Sequence, residues 1–191
     1  MRPFLFLSAA LLLAVFLAIA TPARVLPVLL PPSVSIEGLS GTLWRGHAAR
    51  SVIQWQGQLL ALGELNWQVN AWSLFTFKPE VTFESQWGAQ SLAGSLRMTG
   101  ADEFRLNDVN VSVPVDFVRK LLPFYIGGRF AAVLPELQWQ GGTVGRAEGR
   151  IDWSGAVWKS AAGDVALGNY RLDLVPGDRA IVGEVSTLSG P

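Results

Sequence analysis

The stretch LGELNWQV, residues 62–69, alternates apolar and polar side chains from residue 64 onward. Successive side chains of a β-strand point to opposite faces of the sheet, so this period predicts a half-buried strand. Its predicted buried face consists of Leu65, Trp67 and Val69. Its predicted solvated face consists of Glu64, Asn66 and Gln68.

The same period recurs along the rest of the chain. In EVTFESQW (residues 80–87) and in residues 91–98, the side chains predicted to face inward are Val81, Phe83, Trp87, Leu92, Leu96 and Met98. SGTLWRG (residues 40–46) combines turn residues with a strand core predicted at Thr42-Leu43-Trp44. Further strands are predicted at residues 129–134, 136–140, 148–154 and 180–188.

Irregularities and turns divide these strands. The apolar period slips by one residue near Asn107-Asp108, which predicts a β-bulge, and a similar slip occurs around Gly168. Gly141-Gly142, within GGTVG, predicts a hairpin turn. Two segments have helical character, 115–122 and 71–75. The chain is therefore predicted to be all-β, with one curved antiparallel β-sheet or β-sandwich domain and at most one or two short helices.

An uncharged apolar run, Phe4 to Ala20, precedes this domain and follows Arg2. It is slightly short for a bilayer core of about 30 Å, at about 1.5 Å per helical residue. A cleaved signal peptide would use Ala18-Ile19-Ala20 as its cleavage site. We favour a retained transmembrane signal anchor, residues 1–20, because Pro22 and further apolar residues follow. The basic N-terminus then stays in the cytoplasm and the remainder is exported.

Residues 21–32 (TPARVLPVLLPP) contain four prolines, which exclude a long helix. They are expected to form an extended spacer whose apolar residues either lie in the membrane interface or dock on the domain. Residues 33–191 then form the exported β-rich domain.

Composition excludes several functional classes. Fifteen basic and fifteen acidic residues give zero net charge, so no electrostatic surface for nucleic acid is expected. The chain has no cysteine, and its one histidine, His47, is expected in a solvated turn. Neither a catalytic triad nor a metal site is predicted, and no cofactor is expected. Two non-enzymatic activities remain: an apolar sheet face that holds lipid or a lipoprotein tail, and sheet edges that pair with a partner.

Three motifs resemble the type II secretion system protein N family, also called general secretion pathway protein N. They are LSGTLWRGHA (39–48), LGELNWQV (62–69) and GRIDW (149–153). The motif residues, expected to be structural, are Gly41, Thr42, Leu43, Trp44, Gly46, Leu65, Trp67 and Trp153. Members of this family are usually longer, so either the last strands are missing here or this member is short. In both cases the final strand would present an exposed edge.

The resemblance implies an accessory, non-catalytic subunit held in the inner membrane of a Gram-negative bacterium, with its domain in the periplasm. Its expected partners are other secretion proteins, in the inner-membrane platform or the secretin, and membrane lipid through the anchor. The alternative function is a periplasmic carrier of lipid or lipoprotein with an apolar concave sheet.

Overall fold

Ten strands form one antiparallel sheet in which every strand pairs with its neighbours in sequence. The computed structural model describes residues 16–17, 19–55, 57–100, 102–115, 117, 125–160, 163–177 and 181–190. The strands are β1 Val34–Gly41, β2 Arg45–Trp55, β3 Gln58–Val69, β4 Glu80–Trp87, β5 Gln90–Met98, β6 Glu103–Pro114, β7 Ile126–Gln140, β8 Thr143–Ser160, β9 Gly163–Pro176 and β10 Ile181–Ser189. The all-β prediction is confirmed, with a single sheet rather than a sandwich.

The helices in the described residues are short. A 3₁₀ turn at Ala23–Val25 leads into α1 (Leu26–Leu29), and α2 (Ala71–Phe75) lies between β3 and β4. The prediction of a helical turn at 71–75 is confirmed, and Asn70 caps it by accepting a hydrogen bond from the Trp72 amide (3.1 Å). The helix predicted at 115–122 lies mostly outside the described residues.

One face of the sheet is apolar and the other is polar, as the alternation in LGELNWQV predicts. Trp67 is 7% exposed and Leu65 and Val69 are partly buried, whereas their polar neighbours in β3 are exposed. β4 departs from the prediction at Trp87, which is predicted to face inward but is 53% exposed at the end of the strand. Ser85, on the same face, is buried instead. Ser85 can be buried because its hydroxyl donates to the Leu62 carbonyl (2.7 Å).

The predicted bulge at Asn107-Asp108 is confirmed. Ala93 pairs with Asn110 and Ser95 with Asn107, so one residue of β5 faces two of β6, and Asp108 has a φ of 52°. The slip around Gly168 is also confirmed, since the pairing of β8 with β9 shifts there.

The separate strands predicted at 129–134 and 136–140 are wrong, because both belong to the continuous strand β7. Pro135 suggested an interruption. It lies where the pairing of β7 with β8 shifts, between Val133 and Glu136, and a proline is tolerated at such a site because no ladder hydrogen bond requires its amide.

The Pro-rich segment packs against the apolar face, one of the two arrangements that the sequence left open. Ala23 is 1% exposed and forms a buried cluster with Ile36, Ala48 and Trp67, against which Leu26 and Leu30 pack. Most of the run 4–20 lies outside the described residues. Within the part of the chain that is described, no helix has both the length and the apolarity needed to cross a membrane.

Candidate functional site: the Trp67 motif and the exposed apolar surfaces

The β1–β2 connection carries the first family motif, and its geometry corrects one prediction. Thr42-Leu43-Trp44 lies between the two strands rather than forming a strand core. Gly41 has a φ of 84°, in the left-handed region that favours glycine. The Thr42 hydroxyl then accepts a hydrogen bond from the Arg45 amide (3.2 Å), which closes the connection.

Trp67 holds this connection to β3. Its indole Nε1 donates to the Leu43 carbonyl (3.0 Å), and the Val69 amide donates to the Trp44 carbonyl (2.7 Å). The indole ring lies against Gly46, where a β-carbon would overlap it. Two motifs that are about 20 residues apart in sequence thus form one packed unit. In this unit the motif residues fix the backbone of the β1–β2 connection against β3 and pack the indole ring of Trp67 against Gly46.

Trp153, in β8, forms a second aromatic cluster several strands away. Its ring lies 5.5 Å from that of Phe130 and 5.9 Å from that of Tyr170. Its Nε1 donates to the Gly127 carbonyl (3.0 Å). Trp67, which is buried, and Trp153, which is partly buried, therefore both satisfy their N–H groups on backbone carbonyls.

His47 lies in strand β2, not in a turn as the sequence suggested. Its Nδ1 is 3.0 Å from the Asn66 side-chain oxygen on the neighbouring strand. In the part of the chain that the structure describes, no three His, Asp or Glu side chains are close enough to hold a metal ion.

The polar face carries cross-strand ion pairs. They are Arg97–Glu80 (2.8 Å), Arg150–Asp173 (3.1 Å), Arg171–Asp152 (2.7 Å) and Arg105–Glu136 (3.4 Å). The hydrogen bonds that Arg171 donates lower the pKa of the Asp152 carboxyl, with a smaller contribution from the Arg150 charge, and partial burial opposes them. These side chains are partly exposed and pair across adjacent strands, as expected for pairs that stabilise register.

Arg171→Gln is expected to reduce stability modestly at neutral pH and to have a smaller effect in acid. Because the pKa of Asp152 is lower in the folded chain, its contribution is complete above the unfolded pKa of about 3.9 and is lost as pH falls through the folded pKa. Urea midpoints of the parent and the variant should therefore converge in acid. Lys78→Gln, at an exposed position, is the control. A difference that stays constant with pH would contradict the assignment.

Two groups of exposed apolar side chains among the described residues bear on interactions. The first, called the β9–β10 surface, surrounds the edge strand β10 and consists of Val165, Val175, Val182, Val185 and Leu188. It spans both faces of the sheet, because Val182 lies beside Val175 on the ion-paired face and Val185 lies beside Leu172 on the apolar face. The second, called the aromatic loop, lies between β3 and β4 and consists of Trp72, Phe75 and Phe77. Sequence analysis expected an exposed edge at the final strand but did not single out the side chains of either group. Val182 and Val185 are three residues apart, so they point to opposite faces of the strand.

Three concavities bear on ligand binding. A cavity of about 60 Å³ on the apolar face is lined by residues that include Leu92, Val111 and Phe117. An open groove of about 660 Å³ lies between β7, β8 and β9, beside the Arg150–Asp173 ion pair. A second open groove, of about 310 Å³, is lined by residues of β2, β3 and β4 that include Arg45 and Glu84. The apolar cavity is small and both grooves are lined in part by charged side chains.

A sequential antiparallel meander with one apolar and one ion-paired face defines a single-sheet, all-β protein. The model of the family described as type II secretion system (T2SS), protein N matches residues 32–191. The chain belongs to this family.

Relatives named type II secretion system protein N share most of the chain. The protein of Aeromonas hydrophila is 34% identical over 181 residues, covering 89% of this chain and 69% of the relative. That of Vibrio cholerae serotype O1 is 25% identical, covering 88% and 68%. That of Klebsiella pneumoniae is 28% identical, covering 84% and 64%. No solved structure matches the chain.

Proposed function

We propose that the chain is a non-catalytic subunit of the type II secretion system. Residues 4–20 anchor it in the inner membrane, and its sheet lies in the periplasm as a scaffold that binds other secretion components. The membership of the family supports the secretion role, and the uncharged run supports the anchor. The helical residues Phe16, Leu17 and Ile19, at the end of this run, expose most of their side-chain surface, as a lipid-facing segment would.

The observation that carries the scaffold role is the β9–β10 surface. β10 contains a single charged residue, Glu184, and Val185 on its apolar side is 69% exposed. β10 is an edge strand of the sheet and exposes apolar side chains on both of its faces, Val182 on one and Val185 on the other. Such an edge is a ready site for pairing with another chain. Strand addition at a sheet edge, with apolar side chains packing alongside, is an established mode of such contact.

A carrier of lipid or lipoprotein is the second candidate, because the apolar face continues across the sheet. Pockets that enclose a small ligand have volumes of about 300–1,000 Å³, well above the cavity on this face. The two grooves that reach this range, of about 660 and 310 Å³, are both lined in part by charged side chains, which do not suit an acyl chain. The described geometry therefore favours the scaffold.

Photo-cross-linking in native membranes tests the proposal. A benzoylphenylalanine at Val185 is expected to form adducts with secretion-system proteins. The same group at Glu64, exposed on the polar face of β3, is the matched control and should form few. Adducts with lipid alone would support the carrier instead. Equal adducts from both positions, or none from Val185, would contradict the assignment of the β9–β10 surface.

A further inference from the structure

The aromatic loop between β3 and β4 exposes three large rings close together. Trp72 is 79% exposed, Phe75 78% and Phe77 92%, and the first two rings lie 5.7 Å apart. We propose that this loop inserts into the interface of the membrane in which the chain is anchored. It would form a second lipid contact that fixes the orientation of the sheet relative to the bilayer. This inference rests on the proposed anchoring by residues 4–20.

The loop has a defined backbone that presents the rings outward. Ser73 is the buried residue of α2, at 8% exposed. Its hydroxyl donates to the Asn70 carbonyl and accepts from the Glu80 amide (2.9 Å), and its carbonyl accepts from the Lys78 amide (3.2 Å). The Asn70 amide also donates to the Glu80 carbonyl (2.9 Å). Ser73 and these backbone groups therefore close the loop, without a hydrogen bond from the aromatic side chains.

Folding does not account for Phe77. This residue has a φ of 55°, which is rare for a residue with a bulky side chain and costs backbone energy. Its side chain recovers little of that cost through burial, because nearly all of it is exposed. Glycine or asparagine would suit this backbone better. The described contacts therefore give no structural reason for a phenylalanine at this position.

Hydrogen bonds place the loop at the end of the sheet where the apolar run enters. The Leu43 amide donates to the Thr21 carbonyl (2.9 Å), and the Val69 amide donates to the Trp44 carbonyl (2.7 Å). Asn70 follows directly and caps α2. Thr21 directly follows the run, and Val69 directly precedes Asn70. The β1–β2 connection therefore joins the end of the run to the start of the loop.

The side chains of the loop suit a lipid interface. Tryptophan is enriched at the level of the lipid headgroups, and Trp and Phe are typical of the apolar side of interfacial segments, with basic residues beside them. Lys78 follows Phe77 directly and is exposed, so it can meet anionic headgroups. A loop at the membrane-facing end of an anchored domain meets lipid before it meets any soluble partner.

A single fluorescent label can test this contact in the full chain, which contains no cysteine. Phe77→Cys provides one site for an environment-sensitive nitrobenzoxadiazole label. Ala89→Cys, exposed in the β4–β5 turn at the opposite end of the sheet, is the matched control. Both chains are reconstituted in vesicles of phosphatidylethanolamine and phosphatidylglycerol that contain nitroxide-labelled lipid. The label at position 77 is expected to shift to the blue and to be quenched, and that at position 89 to do neither.

Further outcomes distinguish insertion of the aromatic loop from mere nearness of the label to the bilayer, and from a chain that is not anchored in the membrane. Adding Trp72→Glu and Phe75→Glu should return the label at position 77 to its aqueous emission. Quenching that persists in this variant would overturn the inference, because nearness to the anchor alone would explain it. If the chain floats with the vesicles but the label at position 77 keeps its aqueous emission, the insertion is overturned while the anchoring stands. The exposed rings would then be assigned to contact with a protein partner. A chain that does not float would overturn the anchoring and the insertion together.

Discussion

Trp67→Ala is expected to destabilise the sheet by about 3–5 kcal/mol, the usual cost of removing a buried Trp or Phe ring. The ring is 7% exposed and fills the space between Gly46 and the docked Pro-rich segment. Its removal also leaves the Leu43 carbonyl without the indole donor. Domains are typically stable by only about 5–15 kcal/mol, so the variant should unfold at a much lower urea concentration. Circular dichroism of the full chain in detergent measures the midpoint.

Two further variants test what the size and the burial of the Trp67 ring contribute to stability. Trp67→Phe keeps an aromatic ring but loses the bond to Leu43 and part of the indole's packing, and should cost about 1–3 kcal/mol. Trp72→Ala removes an equally large but exposed ring, and should change stability by less than about 0.5 kcal/mol. Equal effects of Trp67→Ala and Trp72→Ala would show that the Trp67 motif does not stabilise the fold.

Local alternation was sufficient to predict much of the sheet. LGELNWQV gives the faces of β3 correctly because strand period and burial coincide there. The bulge at Asp108 was also visible, since a bulge changes the parity of the apolar residues. Alternation failed where pairing determines the structure. Nothing within Thr42-Leu43-Trp44 distinguishes a strand from a connection, and the distinction arises from hydrogen bonds to Arg45 and to β3.

The interaction surfaces were less predictable than the strands. Tryptophan is most often a core residue, which is correct for Trp67, but Trp72 and Trp87 are largely exposed. Trp72 lies in the loop between β3 and β4 and Trp87 is the last residue of β4, so the strands and the docked segment leave both side chains largely uncovered. The docking of Ala23 likewise depends on tertiary contacts, because a Pro-rich segment has no period that indicates which surface it meets.

Trp153→Ala is expected to destabilise the C-terminal half of the sheet selectively. The ring packs between Phe130 and Tyr170 on the adjacent strands and is partly buried, so the cost should be up to about 3 kcal/mol, the lower end of the range for tryptophan. In this sheet each strand pairs only with its neighbours in sequence, so stability resembles a sum of local interfaces, as in repeat proteins. Local damage should therefore produce local opening.

Amide hydrogen exchange measures this selectivity. In Trp153→Ala, protection should fall in β7, β8 and β9 and remain near the parent value in β1, β2 and β3. Trp158→Ala, on the same strand but 44% exposed, is the control and should leave protection nearly unchanged. A uniform loss across all ten strands would mean that the sheet opens as one cooperative unit. The Trp67 and Trp153 clusters would then stabilise a single structure, and the β9–β10 surface could not adapt to a partner while β1, β2 and β3 stay folded.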